Sequence, residues 1–373
     1  MDPTCSLSQY RGVTARAFTD EFIQRPSDFY ETFAAGGAAH RQDRVWVTSH
    51  RLCREALADP RLHSGLGEDG QDAAVNLLFL DGPEHARLRR AVAAAIAAGP
   101  TRQAFERGAV AAWERCWNRV RTHATIDLLA DVAQPVACQA IGELVGFDPD
   151  ESDALLPSLR AVTSAMEEFE PEPERAAGAL ASRELLSVVD ERFADLERRG
   201  GFVASLGRAV VAGEITDFEA VSTTVTFLSA GFENSANFLA GAALHLLPGG
   251  ARRAAGGEPD LEELLRLVSP AHVTVRRASE PLTIGPVEVP EGATVHVVLG
   301  AGNADPAAAG PAHLAFGHGP HVCIGAGLAR VEMAALVSRI AALRPCATIV
   351  EAPTWRPRLE FRTMRSLQVA LQV

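Results

Sequence analysis

Apolar positions recur along this chain with two periods, and each period predicts its own kind of element. Arg44-Val45-Trp46-Val47-Thr48 predicts a short strand, after which Ser49 caps a helix carrying Leu52, Ala56 and Leu57 and ending near Asp59-Pro60. Residues 62–76, rich in Gly and Asp, predict a loop, and Pro83 opens a helix through Glu84-His85-Ala86-Arg87-Leu88-Arg89-Arg90. Helical periodicity returns at 126–145, 151–168 and 176–198, with the acidic stretch 167–174 as a breaker between the last two. Thr216-Asp217-Phe218-Glu219 fits a capping box, and Pro248-Gly249-Gly250 supplies a stop. Between them, about 30 residues without proline predict a continuous helix of roughly 45 Å.

The middle of that helix, residues 229–235 (SAGFENS), breaks local rules. A glycine, a glutamate and an asparagine interrupt an otherwise apolar run, which predicts a kinked or functional segment. A shorter helix from Asp260 to just before Pro270 carries Glu263 and Arg266, and residues 273–299 read as short strands and turns. A glycine-rich loop at 316–327 leads into an Ala/Leu-rich helix reaching about Leu343, and 348–373 reads as a hairpin. The expected fold is mainly α with small peripheral β-sheets. No repeat or Pro/Ser linker divides the chain, so 1–373 is expected to be one domain.

Composition narrows the possibilities. The 373 residues carry 35 basic and 47 acidic side chains, a net charge of −12, which disfavours a nucleic-acid binder. All the basic residues other than histidine are arginine. The N-terminus has no basic segment followed by an apolar run, and the purest apolar runs fall short of a membrane span of about 20 residues. The six cysteines are scattered without a CxxC pair, which fits neither a disulfide framework nor a zinc site. The chain therefore reads as a cytoplasmic protein with reduced thiols, with no membrane and no nucleic acid among its partners.

The loop at 316–327 carries the strongest chemical signal. Cys323 stands just ahead of a helix N-terminus, where unpaired N–H groups favour a thiolate. The glycines at 317, 319, 325 and 327 permit tight turns and the close approach of a flat ligand. His321 can donate to a carboxylate of that ligand. For a bare cysteine, a buried structural thiol is the plain alternative. The loop as a whole points to a metal with one thiolate ligand, of which haem iron is the leading case.

Phe316-Gly317-x-Gly-x-His321-x-Cys323-x-Gly325 resembles the haem-binding signature of the cytochrome P450 family. Further motifs follow in the family's order from about residue 44 to the end. Glu263-x-x-Arg266 resembles its structural ExxR pair. Asp81-Gly82-Pro83-Glu84-His85-x-x-x-Arg89 resembles the segment whose His and Arg bind haem propionates, Arg276 matches another propionate-binding Arg, and Asn303-Ala304-Asp305-Pro306 matches the following turn. Ala230-Gly231-x-Glu233-Asn234-Ser235 falls where the oxygen-activating helix would lie, with Glu233 and its neighbour resembling the acid–alcohol pair. The resemblance implies the cytochrome P450 fold, haem b held by Cys323, and oxidation of a C–H bond with O₂ and two electrons from a ferredoxin and its reductase. A small molecule, resembling the secondary metabolites tailored by such enzymes, is the implied substrate.

Thr226, Ser229 and Ala230 are expected to face the pocket, and His272 falls on a segment that usually lines it, although a solvent-exposed histidine is an equal reading. Arg87, Arg90 and Arg330 are expected to form a basic patch for an acidic ferredoxin.

Two departures stand out. Asn234 replaces the usual threonine, and an amide cannot relay a proton as a hydroxyl does. The segment between the Asn303 turn and the haem loop is short and lacks the arginine that normally joins Glu263 and Arg266. Weaker haem retention or a compensating contact is expected. The alternatives are oxidative coupling, cyclisation or dehydrogenation without oxygen insertion, or a degenerate haem-fold scaffold that binds a partner protein.

Overall fold

The computed structural model describes residues 37–41, 44–65, 76–97, 99–167, 171–251, 259–308, 312–356 and 358–372. Most of the Gly/Asp-rich loop expected at 62–76, the middle of the acidic breaker at 167–174 and the N-terminal segment lie outside the described residues.

Strands β1 (Ala38–Arg41) and β2 (Arg44–Val47) pair antiparallel. Helix α1 (His50–Ala58) follows, with Ser49 accepting from the Leu52 N–H at its start, as expected. After β3 (Leu62–His63) come α2 (Gly82–Ala97) and α3 (Gly99–Val120). Strand β4 (Thr125–Asp127) occupies the start of the region read as helix at 126–145. The helical part begins with a π-helical turn at Leu128–Ala133, capped by Asp127, and continues as α4 (Gln134–Val145). Asp127 accepts from the N–H groups of Leu129 and Ala130, so a local side-chain bond sets the boundary the apolar period concealed.

Helix α5 (Pro149–Ala165) starts in a capping box between Asp148 and Glu151, and α6 (Glu172–Arg199) and α7 (Gly201–Val211) follow. Helix α8 (Asp217–Leu246) has the expected Thr216–Glu219 capping box and runs 30 residues. Its helical bonding is unbroken through 229–235, so the rule-breaking residues sit in continuous helix and not at a break. Helix α9 (Leu261–Val268) is capped by Asp260.

Strands β5 (Val273–Ala278), β6 (Leu282–Ile284), β7 (Val287–Val289) and β8 (Thr294–Val298) precede α10 (Leu299–Ala304). A five-stranded sheet has the order β1-β2-β8-β5-β3, with β2 and β8 parallel. After the loop at 316–325, α11 (Ala326–Ala342) leads to β9 (Ala347–Ile349), β10 (Thr354–Trp355), β11 (Met364–Ser366) and β12 (Gln368–Leu371). The expected terminal hairpin is two nested antiparallel pairs, β9 with β12 and β10 with β11, and β12 also recruits β4.

One apolar cluster runs through the helical body, with Leu228, Phe232, Phe238 and Leu239 of α8 buried at its centre. A second lies between the five-stranded sheet and α1. Among the described residues, one stretch is long and apolar enough to cross a membrane, Leu128–Val145, and 72% of it is buried inside the protein.

Candidate functional site

Cys323 stands three residues before α11. Its N–H donates to the Phe316 carbonyl at 2.8 Å, and its carbonyl accepts from Ala326 at 3.3 Å. The loop needs left-handed backbone at Gly317 (φ +70°) and Gly319 (φ +73°). At Gly319 a Cβ would also stand 2.3 Å from the Leu57 carbonyl oxygen, so α1 packs directly on the loop backbone. The Cys323 side chain is exposed. Burial pushes its thiol up, while the N–H groups of Gly325 and Ala326 and the charges of Arg89 and Arg330 pull the other way.

The four expected propionate partners come from α2, β5 and the Cys323 loop. His85 is 4% exposed and stacks on His321 at 4.1 Å between ring centroids. Burial, with the charges of His321 and Arg89, drives the His85 pKa down to about 4, so it offers a neutral donor where a cation was expected. Arg89 donates to the Val322 carbonyl at 2.6 Å. Arg276 is 6% exposed and donates to Thr274 Oγ1 and the Val275 carbonyl, with no carboxylate partner among the described residues. Burial lowers its pKa to about 10, opposed by the charge of Asp81.

Asp81 organises this corner. Burial works against its charge, yet hydrogen bonds from His321 (3.0 Å) and the N–H groups of Gly65 and Ser64 hold its carboxyl below the usual range. It lay within the motif read from sequence but had been given no role.

This donor set fits a haem. Among the described residues, His85 Nε2 is buried without a hydrogen-bond partner and Arg276 is a buried cation with no carboxylate in hydrogen-bond contact, and a propionate would satisfy both. A Cβ added at Gly327 would meet nothing within 4 Å, and one at Gly325 would meet only the Cys323 sulfur, so the loop leaves room for a flat ligand.

Helix α8 carries a half-buried stripe. From Glu219 to Ala243 every residue is buried except Ser222, Thr226, Phe227, Ala230, Gly231 and Asn234, which are half-buried and share one helical face. Thr226 and Ala230 are both on this half-buried face, and the Thr226 hydroxyl donates to the Ser222 carbonyl. Ser229 lies off the stripe, its hydroxyl buried without a partner. Gly231 has a packing reason to be glycine, because a Cβ there would stand 2.6 Å from Ile141 Cδ1 of α4. Asn234 donates to the Ala230 carbonyl at 3.0 Å. His272 is buried, with Arg362 and desolvation lowering its pKa to about 3, which removes the solvent-exposed reading.

Glu233 faces away from solvent and is held by four side chains. Its Oε1 accepts from Asn237 (2.9 Å), Thr363 (3.0 Å) and Arg358 (3.2 Å), and its Oε2 accepts from Thr163 (2.9 Å). Ser235 donates to Glu332 Oε2 of α11 at 2.8 Å. Sequence reasoning missed Glu332, Arg358, Thr163 and Thr363. Only Glu332, a glutamate within an Ala/Leu-rich helix, left a signal that could have been read.

Glu263 and Arg266 form the expected pair, with Nε to Oε2 at 2.8 Å and Nη2 to Oε1 at 2.5 Å. No further arginine joins Glu263 among the described residues. The compensating contacts are Arg266 Nη1 to the Asn303 carbonyl (2.8 Å) and a second cluster on Glu262. That carboxylate takes Arg330 at 2.7 and 3.0 Å, and His313 of the short segment at 3.0 Å. His313 Nδ1 accepts from the Ala315 N–H, which places its proton on Nε2, toward Glu262. Arg330 also covers the Phe316 ring at 4.6 Å. Arg87 is likewise bound, to Glu84 and Glu219. Of the three arginines of the expected basic patch, Arg87 and Arg330 are ion-paired to glutamates and Arg90 is exposed.

Comparison with known proteins agrees with this geometry. The family model for cytochrome P450 matches residues 309–342, which hold the Cys323 loop. Cytochrome P450 GfsF of Streptomyces halstedii is 30% identical over 293 residues, covering 70% of this chain and 69% of that protein. The crystal structure of Mycobacterium smegmatis CYP164A2 superposes with a TM-score of 0.83 at 25% identity, over 96% of this chain and all of that one. A structure of P450BioI in complex with acyl carrier protein ligated to hexadec-9Z-enoic acid gives 0.83 at 24% identity, over 95% and 99%. A relative 30% identical and matched over more than two thirds of both chains, with a family model that matches the segment holding the Cys323 loop, leads to one conclusion: the chain belongs to the cytochrome P450 family of haem-binding oxidoreductases.

Proposed function

We propose that this monooxygenase oxidises a C–H bond of a small organic molecule, drawing two electrons from a ferredoxin and its reductase and working as a soluble enzyme. The observation that carries the reading is Cys323, accessible at the head of α11 and ringed by backbone N–H groups and arginines. Secondary-metabolite chemistry is the proposed setting. When bound, haem supplies dioxygen activation, which thiolate ligation favours. His85, Arg89, Arg276 and His321 would hold its propionates, and Phe316, Gly317 and Gly325 would form the loop beside it.

The residues of α8 then orient substrate and manage protons. Ala230 and Asn234 lie on the half-buried stripe, where a substrate would contact them. Asn234 has spent one donor on the Ala230 carbonyl and cannot relay a proton. Ser235 is the neighbouring hydroxyl, and its partner Glu332 is an acid whose pKa is pushed up to about 7 by burial, partly offset by the Ser235 hydrogen bond. Glu332 thus stays partly protonated near neutral pH, and this reading takes it, with Ser235, as the proton source.

Glu332 also predicts a stability profile. The unfolded chain ionises this carboxyl near 4.5 and the folded chain near 7, so the folded state holds the extra proton between those values. Stability is greatest below the lower value and falls as pH rises to about 7, by about 3 kcal/mol. Glu332→Gln is expected to flatten that decline, as followed by urea denaturation between pH 4.5 and 7.5. A profile equally steep in the variant refutes the assignment.

Product analysis with ferredoxin, reductase and isotopically labelled dioxygen tests the reaction. Label in the product supports oxygen insertion. Coupled or dehydrogenated product without label supports the second reading, which Asn234 in place of a hydroxyl favours. Haem-free protein with a normal fold supports the scaffold.

A further inference from the structure

Strand β3 brings one more polar side chain to the corner where Arg276 lies. Leu62 pairs with Ala278 and His63 with Arg277, so the next step of this antiparallel register sets Ser64 opposite Arg276. Residues opposite each other share a face of the sheet. Burial follows the same alternation: Leu62, Ser64, Arg276 and Ala278 are buried, whereas His63 and Arg277 are exposed. The Ser64 and Arg276 side chains are therefore neighbours on the buried face. Ser64 belongs to none of the motifs read from the sequence.

Asp81 holds the backbone at this point. Its Oδ2 accepts from the N–H groups of Ser64 (2.9 Å) and Gly65 (3.2 Å), and its Oδ1 bonds His321 Nε2 at 3.0 Å. His321 in turn stacks on His85. One carboxylate thus joins the end of β3 to the start of α2 and to the Cys323 loop, and a short path of contacts runs from Ser64 to Arg276, His321 and His85.

Within the protein the Ser64 hydroxyl has nothing to bond. Ser64 is 5% exposed, and its Oγ is buried without a hydrogen-bond partner among the described residues. Its amide, by contrast, is satisfied by Asp81. A buried hydroxyl without a partner is costly, and this one sits beside a buried guanidinium and near a second unpartnered polar atom, His85 Nε2. A carboxylate is the group that satisfies a guanidinium and a hydroxyl together.

We propose that Ser64 is a further propionate-binding residue, its hydroxyl donating to the carboxylate that Arg276 pairs with. The inference rests on the haem-site reading above. It adds a neutral donor on β3 to the partners on α2, β5 and the Cys323 loop, at a position where the cross-strand register, and no local motif, selects the residue.

Transfer of haem from the loaded protein to excess apomyoglobin, followed by absorbance, tests the assignment. Ser64→Ala is expected to release haem about tenfold faster than wild type, which corresponds to about 1.4 kcal/mol. Ser64→Thr keeps the hydroxyl and is expected to stay within about threefold of the wild-type rate. Haem dimethyl ester, which carries no propionate charge, is the control, and on it the difference between Ser64→Ala and wild type is expected to shrink below about twofold. A merely structural role for Ser64 would speed the release of both haems alike, and that result overturns the proposal.

If the ester does not enter the protein, the resonance Raman propionate bending mode of the natural haem decides. A mode shifted in Ser64→Ala and kept in Ser64→Thr supports the bond, and an unshifted mode in Ser64→Ala overturns it. A wild-type protein that takes up no haem overturns the haem reading and this assignment with it. Haem held normally, with Ser64→Ala releasing it at the wild-type rate, overturns the assignment alone.

Discussion

Cys323→Ala loses the long-wavelength Soret band of the reduced carbon monoxide complex, and turnover falls to background. The expectation follows from the chemistry of the other thiols. Burial raises the pKa of Cys53 and Cys138 to about 12 and that of Cys116 to about 11, and none of these three is exposed. Cys346 donates to the Leu343 carbonyl within its own turn. Cys323 is the one described cysteine that is exposed, and the Gly325 and Ala326 N–H groups and two arginines offset the cost of its charge. A metal ion would convert that balance into a stable thiolate. The measurement is the difference spectrum of the variant beside the wild-type protein. An unchanged band in the variant would mean that another residue ligates the iron, and the functional reading would fail with it.

Glu233→Ala is expected to cost about 3–5 kcal/mol of stability, because it leaves a buried guanidinium without its anion. The Arg358 side chain is only 6% exposed. Thr163, Thr363 and Asn237 would lose an acceptor at the same moment, each a buried polar group whose bond must be remade elsewhere. Asn234→Ala, one residue along, loses a single bond to the Ala230 carbonyl on a half-buried face and is expected to cost about 1 kcal/mol or less. Denaturant unfolding of the two variants under the same conditions makes the comparison. Equal costs would show that Glu233 is no more than another polar residue on α8, and the description of it as an anchoring carboxylate would be wrong.

These two residues also mark where sequence reasoning reached and where it stopped. Cys323 was legible because its chemistry is local: glycines set the turn and a helix N-terminus follows within three residues. The Thr216 capping box, the Ser49 cap and the Glu263–Arg266 pair are legible for the same reason, since spacing of three or four residues along a helix fixes who meets whom. The rule-breaking residues at 229–235, read as a kinked or functional segment, lie in unbroken helix. Their departures from core composition match what packs on them, Ile141 against Gly231 and Arg358 against Glu233.

By itself, then, the sequence determined the helix-rich class, most of the order of elements and the glycine-rich turn that carries Cys323. Only the tertiary structure decided which polar groups meet across the core. Glu233 and Arg358 are 125 positions apart, Ser235 and Glu332 are 97 apart, and Glu167 accepts from backbone amides 192 or more positions away. It also decided that Arg330 and His313 close on Glu262, and that Arg87 is ion-paired to Glu84 and Glu219. The physical reason is that such pairs depend on how helices are set against one another. Packing of apolar faces fixes that arrangement, and many sequences with the same periodicity would settle it differently.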